Sequence, residues 1–250
     1  MQLFRNIVFT AALVGLLAGL AMTAIQQFGT QPLIVKAEVV EQANAEKAAQ
    51  PHDHAAAGQH DHAALTAQEQ AAAAKADHHH DVDEWAPADG AERFIWTAIA
   101  NVVAGVGFAL LLVAASELKG GLTSWREGLL WGLAGFAVFT LAPSIGLPPE
   151  APGVEGAALL DRQIWWVGTA VATAAGLALI AFARSPWAAL AAVALIAAPH
   201  VIGAPKPPAP PAIPHDLEHG FVVAVIVTGF LFWAILGALA GFLRPRFADA

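Results

Sequence analysis

The chain contains no cysteine. Disulfides, thiolate nucleophiles and sulfur-ligated metal sites are therefore excluded. Only Met1 and Met22 carry a thioether, too few for a thioether path suited to copper(I). Charge is scarce as well. Of 250 residues, 13% are charged and 57% are hydrophobic, where soluble domains carry about 25% charged residues. The formal net charge of -8 argues against nucleic acid as a partner. No GxxxxGK[ST] loop occurs, which removes that type of ATP site. No nucleophile–base pairing stands out either, so the chain does not read as an enzyme.

What is present is a set of long apolar blocks. Six run over residues 7–28, 94–116, 128–147, 164–183, 187–204 and 220–243. Each is near the roughly 20 residues that a helix needs to cross a hydrocarbon core of about 30 Å. Backbone polar groups in lipid must be satisfied within the segment, so helices are expected. The predicted fold is an all-α integral membrane protein, a bundle of about six transmembrane helices with a disordered histidine-rich exterior loop. Its parts are a first transmembrane helix in 1–36, the exterior loop in 37–93, and a bundle of about five helices in 94–250. The block 187–204 is the shortest. The first block has two readings, a retained helix or a signal peptide, and its length favours the helix. By these boundaries no span holds Asp, Glu, Lys or Arg, so no buried carboxylate relay is visible. His200 is the one ionisable residue inside a span.

Orientation follows the basic residues of the short connections. With the N-terminus inside, Arg5, Lys119, Arg126, Arg184, Arg244 and Arg246 lie inside, while Lys36, Lys47, Lys75, Arg93, Arg162 and Lys206 lie outside. All ten histidines then face the exterior. Trp96, Trp125, Trp131, Trp165, Trp166 and Trp187 fall near proposed interfaces, where amphipathic rings prefer to sit. Trp233 falls mid-span and reads as packing. The pairs Gly15/Gly19, Gly128/Gly132 and Gly237/Gly241 match GxxxG, through either helix approach or chance in a chain of 22 glycines. Asn101, Thr97, Thr140, Thr169 and Thr173 read as polar glue between helices rather than ion ligands.

Histidine is concentrated in two places. PHDHAAAGQHDH (51–62) and DHHHD (77–81) supply His52, His54, His60, His62, His78, His79 and His80. Neutral imidazole ligates zinc, nickel, copper(II) and cobalt, and several on one segment bind by chelation at high local concentration. Neighbouring aspartates can supply oxygens or orient the rings. Metal capture or buffering is one reading; a solvated low-complexity loop is the other. The stretch 65–77 has the composition of a short helix. The second place is APHVIGAP (198–205) followed by PHDLEHGF (214–221). His215 and His219 share a helix face at i,i+4. The prolines between would stiffen the link to His200. His200 reads either as an intramembrane functional group or as an interfacial residue, wet or hydrogen-bonded to a carbonyl.

The runs LLAGLAMTAIQQF (16–28), PLIVKAE (32–38), ANVVAGVGFALLLVA (100–114), GLLWGLAGFAVFTLAPSIGLPPE (128–150), RQIWWVGTAVATAAGLAL (162–179) and PHVIGAP (199–205) together resemble the CbtA family of proposed cobalt transporter subunits, encoded near vitamin B12 biosynthesis. The resemblance covers nearly all the membrane part and little of 39–92. It implies a multi-pass protein of the bacterial inner membrane; with the charge-based orientation, the termini are then cytoplasmic and the histidine-rich loop periplasmic. It also implies a small single-span, CbtB-like companion with a histidine-rich terminus, and Co2+ as the transported ion, with Ni2+ or Zn2+ as alternatives. The family pattern has five spans against the six counted here. It transfers no binding residues. Two other functions remain open on the sequence: a membrane-anchored metal-binding or sensor protein that transports nothing, and a metal exporter.

Overall fold

The computed structural model describes residues 1–49 and 87–248. Its elements are helices α1 (Gln2–Phe28), α2 (Gln31–Ala49), α3 (Ala91–Glu117), α4 (Trp125–Gly146), α5 (Leu159–Phe182), α6 (Pro186–Ile202) and α7 (His215–Ala248). The described residues contain no strand. Five of the helices, α1, α3, α4, α5 and α7, are long and apolar enough to cross a membrane. Helix α6 has 17 residues and reaches about 26 Å at 1.5 Å per residue, just under the hydrocarbon thickness. Six apolar helices are thus present, five long and one short. The chain is an all-α, multi-pass membrane protein.

Local signals set the ends. Gly120 and Gly121 take positive φ, which lets the chain reverse between α3 and α4 within a few residues. Ser124 caps α4 by accepting from the Glu127 amide, and Glu127 reaches back to the Thr123 amide and hydroxyl, a variant of the capping box. Pro186 opens α6 at a position where its missing N–H costs nothing. Gly203, at positive φ, closes it.

The core is built from two helix pairs, α1 with α3 and α4 with α7, and α1 also lies along α7. The three GxxxG pairs sit in these contacts. A methyl group at Gly128 would overlap the Gly237 carbonyl and the Gly241 backbone, and one at Gly237 would overlap Gly128 and Gly132. The two motifs interlock and bring the backbones of α4 and α7 together. Gly15 and Gly19 lie against the α3 backbone at Gly105, Val106, Asn101 and Val102. The sequence left these glycines between close approach and chance; close approach is what they do. Gly105 completes the contact and was not singled out, since it has no partner at i+4. Asn101 donates to the Thr23 hydroxyl at 3.0 Å and to the Gln26 side-chain oxygen at 2.7 Å, and so acts as glue between α3 and α1. Trp233, buried, stacks on Phe139 and packs against Phe108, as packing rather than as an interfacial ring.

Helices α5 and α6 form an antiparallel hairpin that touches the core chiefly through the second half of α4. That half begins with a π turn, Ala137–Leu141. Gly146 admits the Trp165 ring.

One sequence expectation is corrected and another is bounded. The hydrophilic region set to begin at residue 37 is helical through Ala49. Helix α2 lacks a strong apolar stripe but docks a few side chains, with Ala37 buried beside Ile213, Phe221 and Ala151. The apolar blocks themselves stay free of Asp, Glu, Lys and Arg. Helices outrun their apolar blocks: α3 takes in Glu117, α7 takes in Arg244, and α5 takes in Asp161 and Arg162. Hydropathy blocks stop at the first charge, whereas a helix ends where its backbone hydrogen bonds end.

Candidate functional site

Three of the ten histidines fall within the described residues. His215 and His219 occupy the first turns of α7, and Pro214 accepts the backbone hydrogen bonds of Leu217 and Glu218. Helical spacing stacks the two imidazoles, with centroids 6.3 Å apart and planes 1° from parallel. Both are exposed. Asp216 lies beside His215, with Oδ1 3.9 Å from Nδ1. Two rings this close can turn toward one ion, for which about 2.0–2.1 Å to each nitrogen is needed.

His200 sits near the end of α6, half-buried. Its ring meets the edge of Trp165 at 5.8 Å and 70°. The Trp165 indole N–H donates to the Pro199 carbonyl at 3.2 Å, which fixes the tryptophan against the turn carrying His200. The Nδ1 atom of His200 is buried without a hydrogen-bond partner. An unpaired polar nitrogen in that position costs free energy. Of the two sequence readings, the interfacial histidine bonded to a carbonyl is not what Nδ1 does here.

His215 and His219 come together, but no group of three or more His, Asp or Glu side chains able to hold a metal is found among the described residues. His52, His54, His60, His62, His78, His79 and His80, and the helix expected in 65–77, lie outside the described residues.

What carries the chain toward that segment is visible. Asn44, in α2, donates to the carbonyl of Ala212 at 2.9 Å, three residues before His215. Helix α2 therefore delivers residue 49 to the end of the bundle where the histidine pair stands. On the far side of the segment, Arg93 pairs with Glu38 at 2.9 Å and with Asp89 at 3.0 Å. Sequence reasoning missed these contacts. The only signal was opposite charge at 38 and 93, and nothing in the sequence pairs such residues across 55 positions.

At the opposite end, Arg244 of α7 reaches Glu117 of α3, with Nε and Nη2 at 2.8 and 2.7 Å from the same carboxylate oxygen. Arg244 is 6% exposed. A buried guanidinium with this partner ties the two helices where they leave the apolar layer.

A family profile described as probable cobalt transporter subunit (CbtA) matches residues 4–244. The chain belongs to the CbtA family. The match covers nearly the whole length, from α1 to Arg244, so the family is carried by the entire bundle. No curated protein and no solved structure matches the chain. By that description a CbtA chain is a probable subunit of a cobalt transporter, with cobalt as transported ion rather than resident group.

Proposed function

We propose that this CbtA chain is the membrane component of a cobalt uptake system in which the histidine-rich segment captures the ion outside the membrane. His52, His54, His60, His62, His78, His79 and His80 supply imidazoles in excess of one site, which suits capture by chelation. The single observation that carries the reading is the stacked His215/His219 pair, at the end of the bundle to which α2 brings that segment. The pair offers two ligands and the segment the others; His200, on α6, keeps its Nδ1 unpaired. A small single-span companion with a histidine-rich tail completes the transporter. Cobalt is selected by geometry and supply, since nickel and copper bind imidazole more tightly than cobalt does. The bundle lies in the inner membrane with both termini in the cytoplasm.

The test is accumulation of radiolabelled cobalt in cells that lack other cobalt importers, with this chain expressed alone and with the companion. Uptake above the empty-vector control is expected, falling below about pH 6 as the loop imidazoles protonate and cease to ligate. Membrane-inserted protein with no accumulation in either case sinks the reading. A deletion strain that tolerates less cobalt, rather than more, would turn import into export.

A further inference from the structure

Between the core and the α5–α6 hairpin lies a cavity of about 490 Å³ that the cobalt reading does not use. Its walls come from α3, α4 and α5, and small residues (Ala115, Ala134, Ala178 and Ala181) keep it open. Phe108, Phe139 and Trp233 close its inner end. Its mouth carries the two charged residues of the lining, Lys119 and Glu127.

We propose that this crevice binds one acyl chain of a phospholipid with a primary ammonium headgroup, phosphatidylethanolamine being the common example. Size favours a slender occupant, since a helix is a cylinder about 10–12 Å across. A polymethylene chain is far thinner. Depth fits as well. From Glu127 to Phe139 the wall of α4 runs about 18 Å, and from Phe108 to Ala115 that of α3 runs about 10 Å, at 1.5 Å per residue. One leaflet contributes about 15 Å, half of the hydrocarbon core. The crevice thus starts at a polar rim and ends near mid-membrane on an aromatic floor, as a single tail of one leaflet would.

The rim selects the headgroup. The Lys119 ammonium matches the lipid phosphate. The Glu127 carboxylate uses Oε2 for the Thr123 amide and hydroxyl, which leaves Oε1 for the lipid ammonium. A headgroup with phosphate but no cation would set a second negative charge beside Glu127.

The test is native mass spectrometry of the full-length chain, purified in mild detergent and offered equal amounts of phosphatidylethanolamine and phosphatidylglycerol with identical tails. One phosphatidylethanolamine per chain is expected, preferred about tenfold, the factor that one charge-assisted contact supplies. Ala178→Trp, which fills the crevice from α5, should lose that lipid, and Lys119→Gln should weaken it. Equal retention of the two lipids by the wild type overturns the proposal, and so does a folded Ala178→Trp that keeps its lipid. Should Ala178→Trp not fold, the wild-type competition and Lys119→Gln decide.

Discussion

The two halves of this bundle are held by different means. In the core, α4 and α7 meet backbone to backbone through Gly128, Gly132, Gly237 and Gly241, and α1 meets α3 through Gly15, Gly19 and Gly105. In the hairpin, one glycine, Gly176 of α5, lies against both the Ile196 side chain and the Ala192 carbonyl of α6. The hairpin is held to the core by Trp165 at Gly146, by Trp166 tilted against Phe139, and by the ion pair of Arg162 in α5 with Glu150 just after α4. Lipid offers no hydrophobic drive for helices to associate, so close packing and polar bonds decide. The core has both. The hairpin has few of either and leaves a crevice beside it. The histidines divide the same way: the unpaired nitrogen of His200 lies on the hairpin and the exposed His215/His219 pair on a core helix.

The contrast can be broken most severely at Gly237→Leu. Its side chain would enter the backbone of Gly128 and Gly132, which neither helix can move without losing the interface. We expect a loss of about 3 kcal/mol or more, read as collapse of monodisperse yield and early unfolding in denaturing detergent. Gly107→Leu and Gly168→Leu, both with open space around them, should leave stability within about 0.5 kcal/mol. If all three variants behave alike, the glycine lock is not what holds the core.

Arg244→Leu comes next. It strands Glu117 and should cost about 3 kcal/mol, while the double variant with Glu117→Leu recovers most of that. Equal losses in the single and double variants would deny the pairing. Trp165→Phe removes one hydrogen bond to Pro199 and should cost about 1 kcal/mol. Its effect should be local: faster amide exchange in α6, with α1, α3 and α7 unchanged. Uniform acceleration across the bundle would mean that hairpin and core unfold as one unit. The smallest structural effect is expected for His200→Ala with His219→Ala, within about 0.5 kcal/mol of the parent in stability. The same pair should lower maximal cobalt uptake; full uptake removes these histidines from the path.

The sequence made the spans legible because apolar runs of membrane length have few other uses. It showed the glycine motifs but not their partners, because GxxxG states that a helix can be approached and is silent on what approaches. Gly105 has no glycine four residues away on either side and so carried no GxxxG spacing to read. Glu117 and Arg244 were placed outside the spans by a hydropathy boundary that drops at the first charge. Helix α2 escaped because its docking rests on a few residues such as Ala37 and Val40 rather than on a periodic stripe. Of the candidate site, the His215/His219 pair was legible from i,i+4 spacing alone. The orphaned Nδ1 of His200 was not, since it depends on Trp165 approaching from another helix.

The π turn at Ala137–Leu141 acts as a phase shift within α4. At about 100° per residue, the 14 steps from Gly132 to Gly146 would return both glycines to within about 40° of one another on an uninterrupted α-helix. A π turn absorbs one extra residue, and that residue's rotation moves the two to nearly opposite sides, about 140° apart. One continuous rod can then offer Gly128 and Gly132 to α7 and Gly146 to Trp165 of α5. Removing a single residue within 137–141 would rotate the far end of α4 away from the hairpin without altering a side chain there. The junction between the two halves is thus encoded as an angle, and a change in residue count would reset it.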